Sequence, residues 1–151
     1  MMECIRQATA ADAARIAEIE IFNYRLQFYP IFQADEYYFG DLQVPQLMSN
    51  YLQDAALLQR TFVYDDGVVK GFIRIRGEEI EKLFVEPVLQ GRGIGAALLR
   101  YGMERQGTRF LWALEKNLRA IAFYQRHGFH ATGEKKPEED TAEYLIRMER
   151  E

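Results

Sequence analysis

Hydrophobic and polar positions along this chain follow two periods, and each change of period marks a new element. Cys4 to Ala8 reads as a short strand. Thr9-Ala10-Ala11-Asp12 then opens a helix in capping-box fashion, with the acid three residues after the hydroxyl. Ala13, Ile16, Ala17, Ile19 and Phe22 carry that helix to about Arg25. The stretch from Phe22 to Leu42 is rich in aromatic rings, keeps no clean period and is broken by Pro30 and Gly40. Pro45 to Leu58 predicts another helix, with Leu47, Tyr51, Ala55 and Leu58 on one face. Phe62 to Tyr64 and Val68 to Arg76 flank Asp65-Asp66-Gly67, a strong hairpin signal. After a turn at Gly77-Glu78, Glu79 to Val85 makes a third strand, which Pro87 ends because proline has no N–H for the ladder.

The second half repeats the alternation of strand and helix. Ile94, Ala97, Leu98 and Tyr101 line one face of a helix, and Thr108 to Leu114 is an apolar run of strand length. Asn117 and Gly128 bracket a further helix as N-cap and terminating residue. Phe129–Gly133 and Ala142–Glu149 predict two last antiparallel strands, joined by a charged, exposed loop from Lys135 to Thr141. The expected fold is α/β, a mixed sheet in one domain spanning residues 1–151. An antiparallel meander comes first. A β-α-β unit follows, in which Glu79–Val85 and Arg109–Leu114 run parallel.

Composition narrows the function by exclusion. The chain has 151 residues, 48% of them hydrophobic and 28% charged, which is ordinary for a globular protein. A net charge of −4 disfavours a nucleic-acid partner and mildly favours a cationic substrate. The single cysteine, Cys4, excludes an internal disulfide framework and reads as an inert core thiol. Its two histidines have no metal-ligand spacing, so no metal is expected. Glu3 and Arg6 interrupt any apolar leader and no run is long enough to span a membrane, so the cytoplasm is the expected location. The oligomeric state stays open, a homodimer included.

Chemistry concentrates after the third strand, at Gln90-Gly91-Arg92-Gly93-Ile94-Gly95-Ala96. A strand that feeds a glycine turn at a helix N-terminus leaves backbone N–H groups pointing outward. Together with the helix dipole they can hold a phosphate, although loop glycines also serve close packing alone. Gly91-x-Gly93-x-x-Ala96 also satisfies a dinucleotide fingerprint, with Glu115 about twenty residues beyond. That fold would begin with the βαβ unit and needs more parallel strands than remain here. The absence of Gly-Lys-Ser/Thr excludes a P-loop.

The run from Gln90 to Gly95 resembles the Gln/Arg-x-x-Gly-x-Gly/Ala signature of the GNAT superfamily of N-acetyltransferases, and Leu83-x-Val85-x-Pro87 resembles its central strand. Asn117-x-x-Ala120-x-x-Phe123-Tyr124 followed by Gly128-Phe129 resembles its second motif. The resemblance covers Phe62 to Phe129, with both motifs in the family's order. It implies acetyl-CoA as co-substrate and an amine of a small molecule or peptide as acceptor. It further implies that the central parallel strands splay to admit the coenzyme. On this resemblance the backbone of Leu83, Phe84 and Val85 holds the pantetheine arm and acetyl group. The N–H groups of Gln90, Gly91, Arg92, Gly93, Ile94, Gly95 and Ala96 hold the pyrophosphate. Asn117 is an arm ligand as well as an N-cap, and the Tyr124 phenol meets the sulfur. The segment between the first two helices would shape the acceptor site, with Tyr24, Phe28 and Tyr29 as candidate lining rings. A non-catalytic acyl-CoA sensor on the same fold is the alternative.

Acyl transfer to an amine is limited by the amine's proton. An alkylamine of pKa ~10.4 is neutral in only about one molecule in 2,500 at pH 7, whereas a thiol of pKa ~8.5 leaves readily. A base therefore matters more than an acid. Glu81 is the candidate, because strict alternation along the strand places it on the face of Leu83 and Val85. Its competing reading is one of a run of surface acids with Glu78 and Glu79. Trp112 is assigned to the core, and His127 and His130 to structural or exposed positions.

Overall fold

The computed structural model describes every residue from Met1 to Glu151. Seven strands form one mixed sheet: β1 (Ile5–Gln7), β2 (Thr61–Asp65), β3 (Val69–Arg76), β4 (Glu79–Val85), β5 (Phe110–Leu114), β6 (His130–Pro137) and β7 (Tyr144–Glu149), in the spatial order β1-β2-β3-β4-β5-β7-β6. Every neighbouring pair is antiparallel except β4 and β5. The β4–β5 crossover is the helix α5 (Ile94–Gln106), as the alternation of elements requires. The last strand, β7, inserts between β5 and β6, so the charged stretch expected as a loop is in part strand. β6 runs on through Lys135, Lys136 and Pro137, and only the residues beyond Pro137 turn back.

Apolar side chains leave both faces of the sheet. One face packs Ile73, Ile75, Ile80 and Val85 under Ile94, Ala97, Leu98 and Leu99 of α5. The other packs Val63, Phe72 and Phe84 under Ala13, Ile16 and Ile19 of α1 (Ala13–Asn23) and Tyr51 of α3 (Val44–Gln53). α1 starts where the Asp12 carboxylate accepts the Thr9 N–H at 2.8 Å, the predicted capping box. The helix expected over Pro45–Leu58 is broken at Asp54. That residue leaves the helical region at φ −125° and its carboxylate caps the short α4 (Ala55–Gln59) through the Ala56 N–H.

The aperiodic aromatic stretch has a geometric cause. Past Asn23 the helix widens into a π-helical turn over Tyr24–Phe28, followed by α2 (Tyr29–Phe32) and a second π-helical turn over Glu36–Asp41. Each widened turn carries more residues than an α-turn, so the 3.6-residue stripe loses phase.

β4 holds the other departure from regular geometry. Phe84, Leu83 and Lys82 face Phe72, Ile73 and Arg74 of β3, but the next pair is Ile80 with Ile75. Glu81 is the extra residue of a β-bulge. A bulge shifts alternation by one position. Ile80 therefore shares the α5 face with Val85, five residues away, while Lys82 and Phe84 turn towards α1. The parity argument that grouped Glu81 with Leu83 and Val85 assumed an unbroken ladder and is corrected here.

Candidate functional site

β4 and β5 pair only at Glu79 with Phe110 and Ile80 with Leu111. Beyond that point they diverge. β5 continues to pair with β7 as far as Leu114, while β4 continues to pair with β3 as far as Val85. The backbone of Leu83 to Val85 thus lines an opening in the middle of the sheet. Two cavities meet there. The smaller, about 390 Å³, runs along Leu83, Phe84 and Val85 to Gln90, Gly91 and Gly93 to Ala96, with Asn117, Phe123 and Tyr124 opposite. The larger, about 1120 Å³, lies on the α1 side between the first π-helical turn, β4, Trp112 and the β6–β7 connection. Gln27, Leu83, Phe84, Asn117, Ala120 and Tyr124 line both.

The glycine turn is built as its sequence suggests. Gly91 and Gly93 take φ of +83° and +85°, the left-handed region that L side chains rarely adopt. Gly93 caps α5, and Ala97 donates back to its carbonyl at 3.0 Å. No protein acceptor meets the N–H groups of Gly91 to Ala96, which leaves a helix N-terminus with its donors free at the end of the smaller cavity. The Arg92 side chain is exposed and does not line the cavity. Arg119 and Arg126 of α6 (Leu118–Arg126), which sequence reasoning left unassigned, place cationic side chains along its wall.

A buried amide network fixes the junction, and nothing in the sequence pattern announced it. Asn23 has no solvent exposure. Its Nδ2 donates to the carbonyls of Ile19 and Val85, each at 2.9 Å. Its Oδ1 accepts from Gln27 at 2.8 Å and Gln90 at 3.0 Å. Gln27 in turn accepts from Asn117 at 3.3 Å, while Asn117 Oδ1 caps α6 through the Ala120 N–H at 3.3 Å. All four hydrogen-bonding positions of the Asn23 amide are used. One side chain thereby ties α1 to the end of β4, the glycine turn and, through Gln27, the start of α6.

Tyr124 lies where the two cavities meet, its ring against Phe123 and Phe129. Burial pushes its phenol above the ordinary tyrosine range, so it is a protonated donor near neutral pH. Tyr24 and Phe28 line the larger cavity and meet Phe84 edge-to-face. Tyr29 does not. Its hydroxyl donates to Asp35 at 2.6 Å, and its ring packs on Tyr38 and Phe39 away from the cavity. Trp112, expected in the core, is half-buried on the wall of the larger cavity with the Lys136 ammonium 4.2 Å from its ring centre.

Glu81 also lines the larger cavity, but inside a guanidinium clamp. Arg60 donates to Oε1, Arg76 Nε lies 3.1 Å from the same oxygen, and Arg74 Nε lies 3.4 Å from Oε2. Burial alone would raise this carboxyl. The Arg60 hydrogen bond and the charges of Arg74, Arg60 and Arg76 outweigh it, and the carboxyl sits below its ordinary range. A base for an amine near neutral pH needs the opposite shift. Behind the clamp, Glu20 accepts from Tyr24 at 2.8 Å and Tyr51 at 2.6 Å, and Arg74 donates to the Tyr51 hydroxyl at 2.7 Å.

Comparison with known proteins places these features. Residues 58–131 match the family model described as an acetyltransferase (GNAT) domain. Over 127 residues the chain is 33% identical to the peptidyl-lysine N-acetyltransferase YiaC of Escherichia coli, covering 83% of this chain and 82% of YiaC. Over 91 residues it is 31% identical to the peptidyl-lysine N-acetyltransferase YjaB of Salmonella typhimurium, covering 60% of this chain and 61% of that protein. The crystal structure of the PaiA N-acetyltransferase from Thermoplasma acidophilum in complex with coenzyme A superposes with a TM-score of 0.66 over 96% of this chain and 97% of that one, at 18% identity. No helix of the chain is long and apolar enough to cross a membrane.

Proposed function

The chain belongs to the GNAT family of acetyltransferases, and from that premise we propose that it moves an acetyl group from acetyl-CoA to a primary amine of a small molecule or peptide, by direct attack in a ternary complex. The observation that carries the reading is the opening between β4 and β5, where a phosphate-ready glycine turn leads to Tyr124 and on into a second cavity. The smaller cavity takes the coenzyme. Free N–H groups from Gly91 to Ala96 receive the pyrophosphate, with Arg119 and Arg126 adding charge. Hydrogen bonds to charged groups net about 1.5–3 kcal/mol each, so a few suffice for micromolar affinity. The backbone of Leu83, Phe84 and Val85 lies along the pantetheine arm, with Asn117 facing it.

The acceptor enters through the larger cavity. Its nitrogen attacks the thioester carbonyl, a C–N bond forms, the C–S bond breaks, and the sulfur leaves as thiolate towards the Tyr124 hydroxyl. That phenol holds its proton more tightly than a thiol does, so it stabilises the departing thiolate by hydrogen bonding, and water completes the protonation. The amine proton goes to water in the cavity. Cationic Arg74 and Lys82 on the cavity wall favour the neutral form of an amine bound beside them. Glu81 keeps Arg74 in place.

The test is acetyl-CoA turnover against an amine library that includes lysyl peptides, the acceptors named for the relatives, read by release of free thiol. Turnover with at least one amine is expected. Tight CoA binding without turnover of any amine would make the chain an acyl-CoA sensor instead.

A further inference from the structure

We propose that the acceptor amine also carries a carboxylate, and that Lys82, supported by Arg74, receives that carboxylate in the larger cavity. The proposal rests on the acetyl-transfer reading for the amine and goes beyond it in naming the acceptor as a compound of the amino-acid class. Lys82 and Arg74 face each other across the β3–β4 ladder, just before the bulge, and both line the cavity. Arg74 is withdrawn from bulk water to 9% exposure, and Lys82 is half-buried. Burial pushes the Lys82 ammonium below its ordinary range, the mark of a cation short of compensation.

The two carboxylates beside the pair on the sheet side, Glu20 and Glu81, are already committed. Glu20 accepts from the Tyr24 and Tyr51 hydroxyls, and Glu81 is divided among Arg60, Arg74 and Arg76. Lys82 is left over the Tyr24 ring, its nitrogen 5.0 Å from the ring centre, with no carboxylate at ion-pairing distance. Arg74 spends one N–H on Tyr51, while its Nε finds no acceptor in hydrogen-bonding geometry. Cations held out of water are stable only when paired. A ligand carboxylate would supply the missing charge and two acceptor oxygens. A lysyl side chain has no group to offer there.

The cavity is also polarised across its width. Glu138, Glu139, Asp140 and Glu143, on and beside the β6–β7 connection, line the same space that Arg74 and Lys82 line from the sheet. A small acceptor bearing both charges matches this lining, with its carboxylate against the sheet. Entry past the acidic connection draws in its ammonium end. Glu81, the bulge residue next to Lys82, lines the same space while bound to the arginines.

The experiment uses the L-amino acids, each beside its own carboxamide, together with a lysyl peptide, as acceptors for wild-type protein, Lys82→Met and Lys82→Arg. In wild type, kcat/KM for at least one amino acid should exceed that of its carboxamide by about 10–100-fold, the value of one charge-assisted hydrogen-bonded contact. Lys82→Met should bring that ratio close to one, mainly through KM, and Lys82→Arg should retain most of it. Thermal-shift titrations of the CoA-bound protein with the same compounds separate binding from chemistry. A Lys82-dependent shift with amino acids and none with carboxamides supports the carboxylate site even if no amine is turned over, an outcome in which the transfer reading alone fails. Carboxamides or the lysyl peptide used as well as amino acids overturns the proposal and leaves transfer intact. Neither binding nor turnover of any amino acid overturns it as well.

Discussion

Replacing Glu81 with glutamine decides between two roles for the same carboxylate. As a base, it would remove the amine proton. As the centre of the arginine clamp, it neutralises Arg60, Arg74 and Arg76, with its own side chain only 16% exposed. Glutamine keeps the shape and removes the charge, leaving Arg74 nearly buried without its anion and Lys82 nearby with one more uncompensated neighbour. Removing one partner of a fully buried ion pair costs about 3–5 kcal/mol, whereas a hydrogen bond to a charged group nets about 1.5–3 kcal/mol. For a partly buried clamp, about 2 kcal/mol is expected, which lowers the melting temperature by about 4–8 °C for a chain of this size. Acid should erase the difference. The folded-state carboxyl lies below its ordinary value of 4.5, so its contribution is complete above that pH and is lost as pH falls through the lower folded-state value. The gap between wild type and Glu81→Gln should therefore be constant from pH 8 to about 5 and close as pH falls from 4.5 through the lower folded-state value. The assays are urea or thermal melts across that range, beside kcat/KM from pH 6 to 10. A variant as stable as wild type, but slower by ~10²–10⁴ near neutral pH and recovering near pH 9–10, would refute the clamp and restore Glu81 as the base.

Gly93→Val places a β-branched residue at φ +85° in the turn and should weaken CoA binding at least about tenfold by calorimetry; unchanged affinity in the folded variant would remove the turn from the coenzyme site. Tyr124→Phe should lower kcat/KM by about 10–100-fold without repair at high pH, because alkali supplies no donor to sulfur; wild-type rates with CoA still bound would make the phenol structural. Asn23→Ala should cost about 1–3 kcal/mol in urea melts by removing the hydrogen bonds to Val85, Gln27 and Gln90 and leaving the Gln27 amide N–H without its acceptor, and weaken CoA through the loosened turn; a stability within 0.5 kcal/mol of wild type, the ~0.5 kcal/mol scatter of surface changes, would deny the network its role.

The order of elements was legible because their signals are local. Asp65-Asp66-Gly67 marks a hairpin without reference to anything distant, and Asn117 and Gly128 mark the ends of α6 by their own capping chemistry. The parallel pairing of β4 with β5 also followed, since one helical crossover separates them. Insertion of β7 between β5 and β6 did not. It depends on which edge remains open once the first five strands are placed, and no periodicity within β6 or β7 carries that information.

The coenzyme side and the acceptor side of the opening differ in legibility for a related reason. Gly91, Gly93, Asn117 and Tyr124 act through a turn conformation, a cap and a position on one helix face, and sequence spacing fixes all three. The acceptor side is made by irregularities. One extra residue at Glu81 moves Ile80 to the α5 face, and Tyr24 and Phe28 reach the cavity from a π-helical turn while the Tyr29 hydroxyl is taken by Asp35. Widened turns and bulges break the repeats from which a pattern is read, and they leave unmatched groups where they occur. Glu81 is the residue that the bulge inserts, and three arginines take it up. Lys82 sits next to it, opposite Arg74 in the unshifted part of the ladder, with Glu20 and Glu81 already committed elsewhere. On the proposed reading the acceptor is the compound that satisfies that lysine, and the matched pairs of amino acid and carboxamide test it directly.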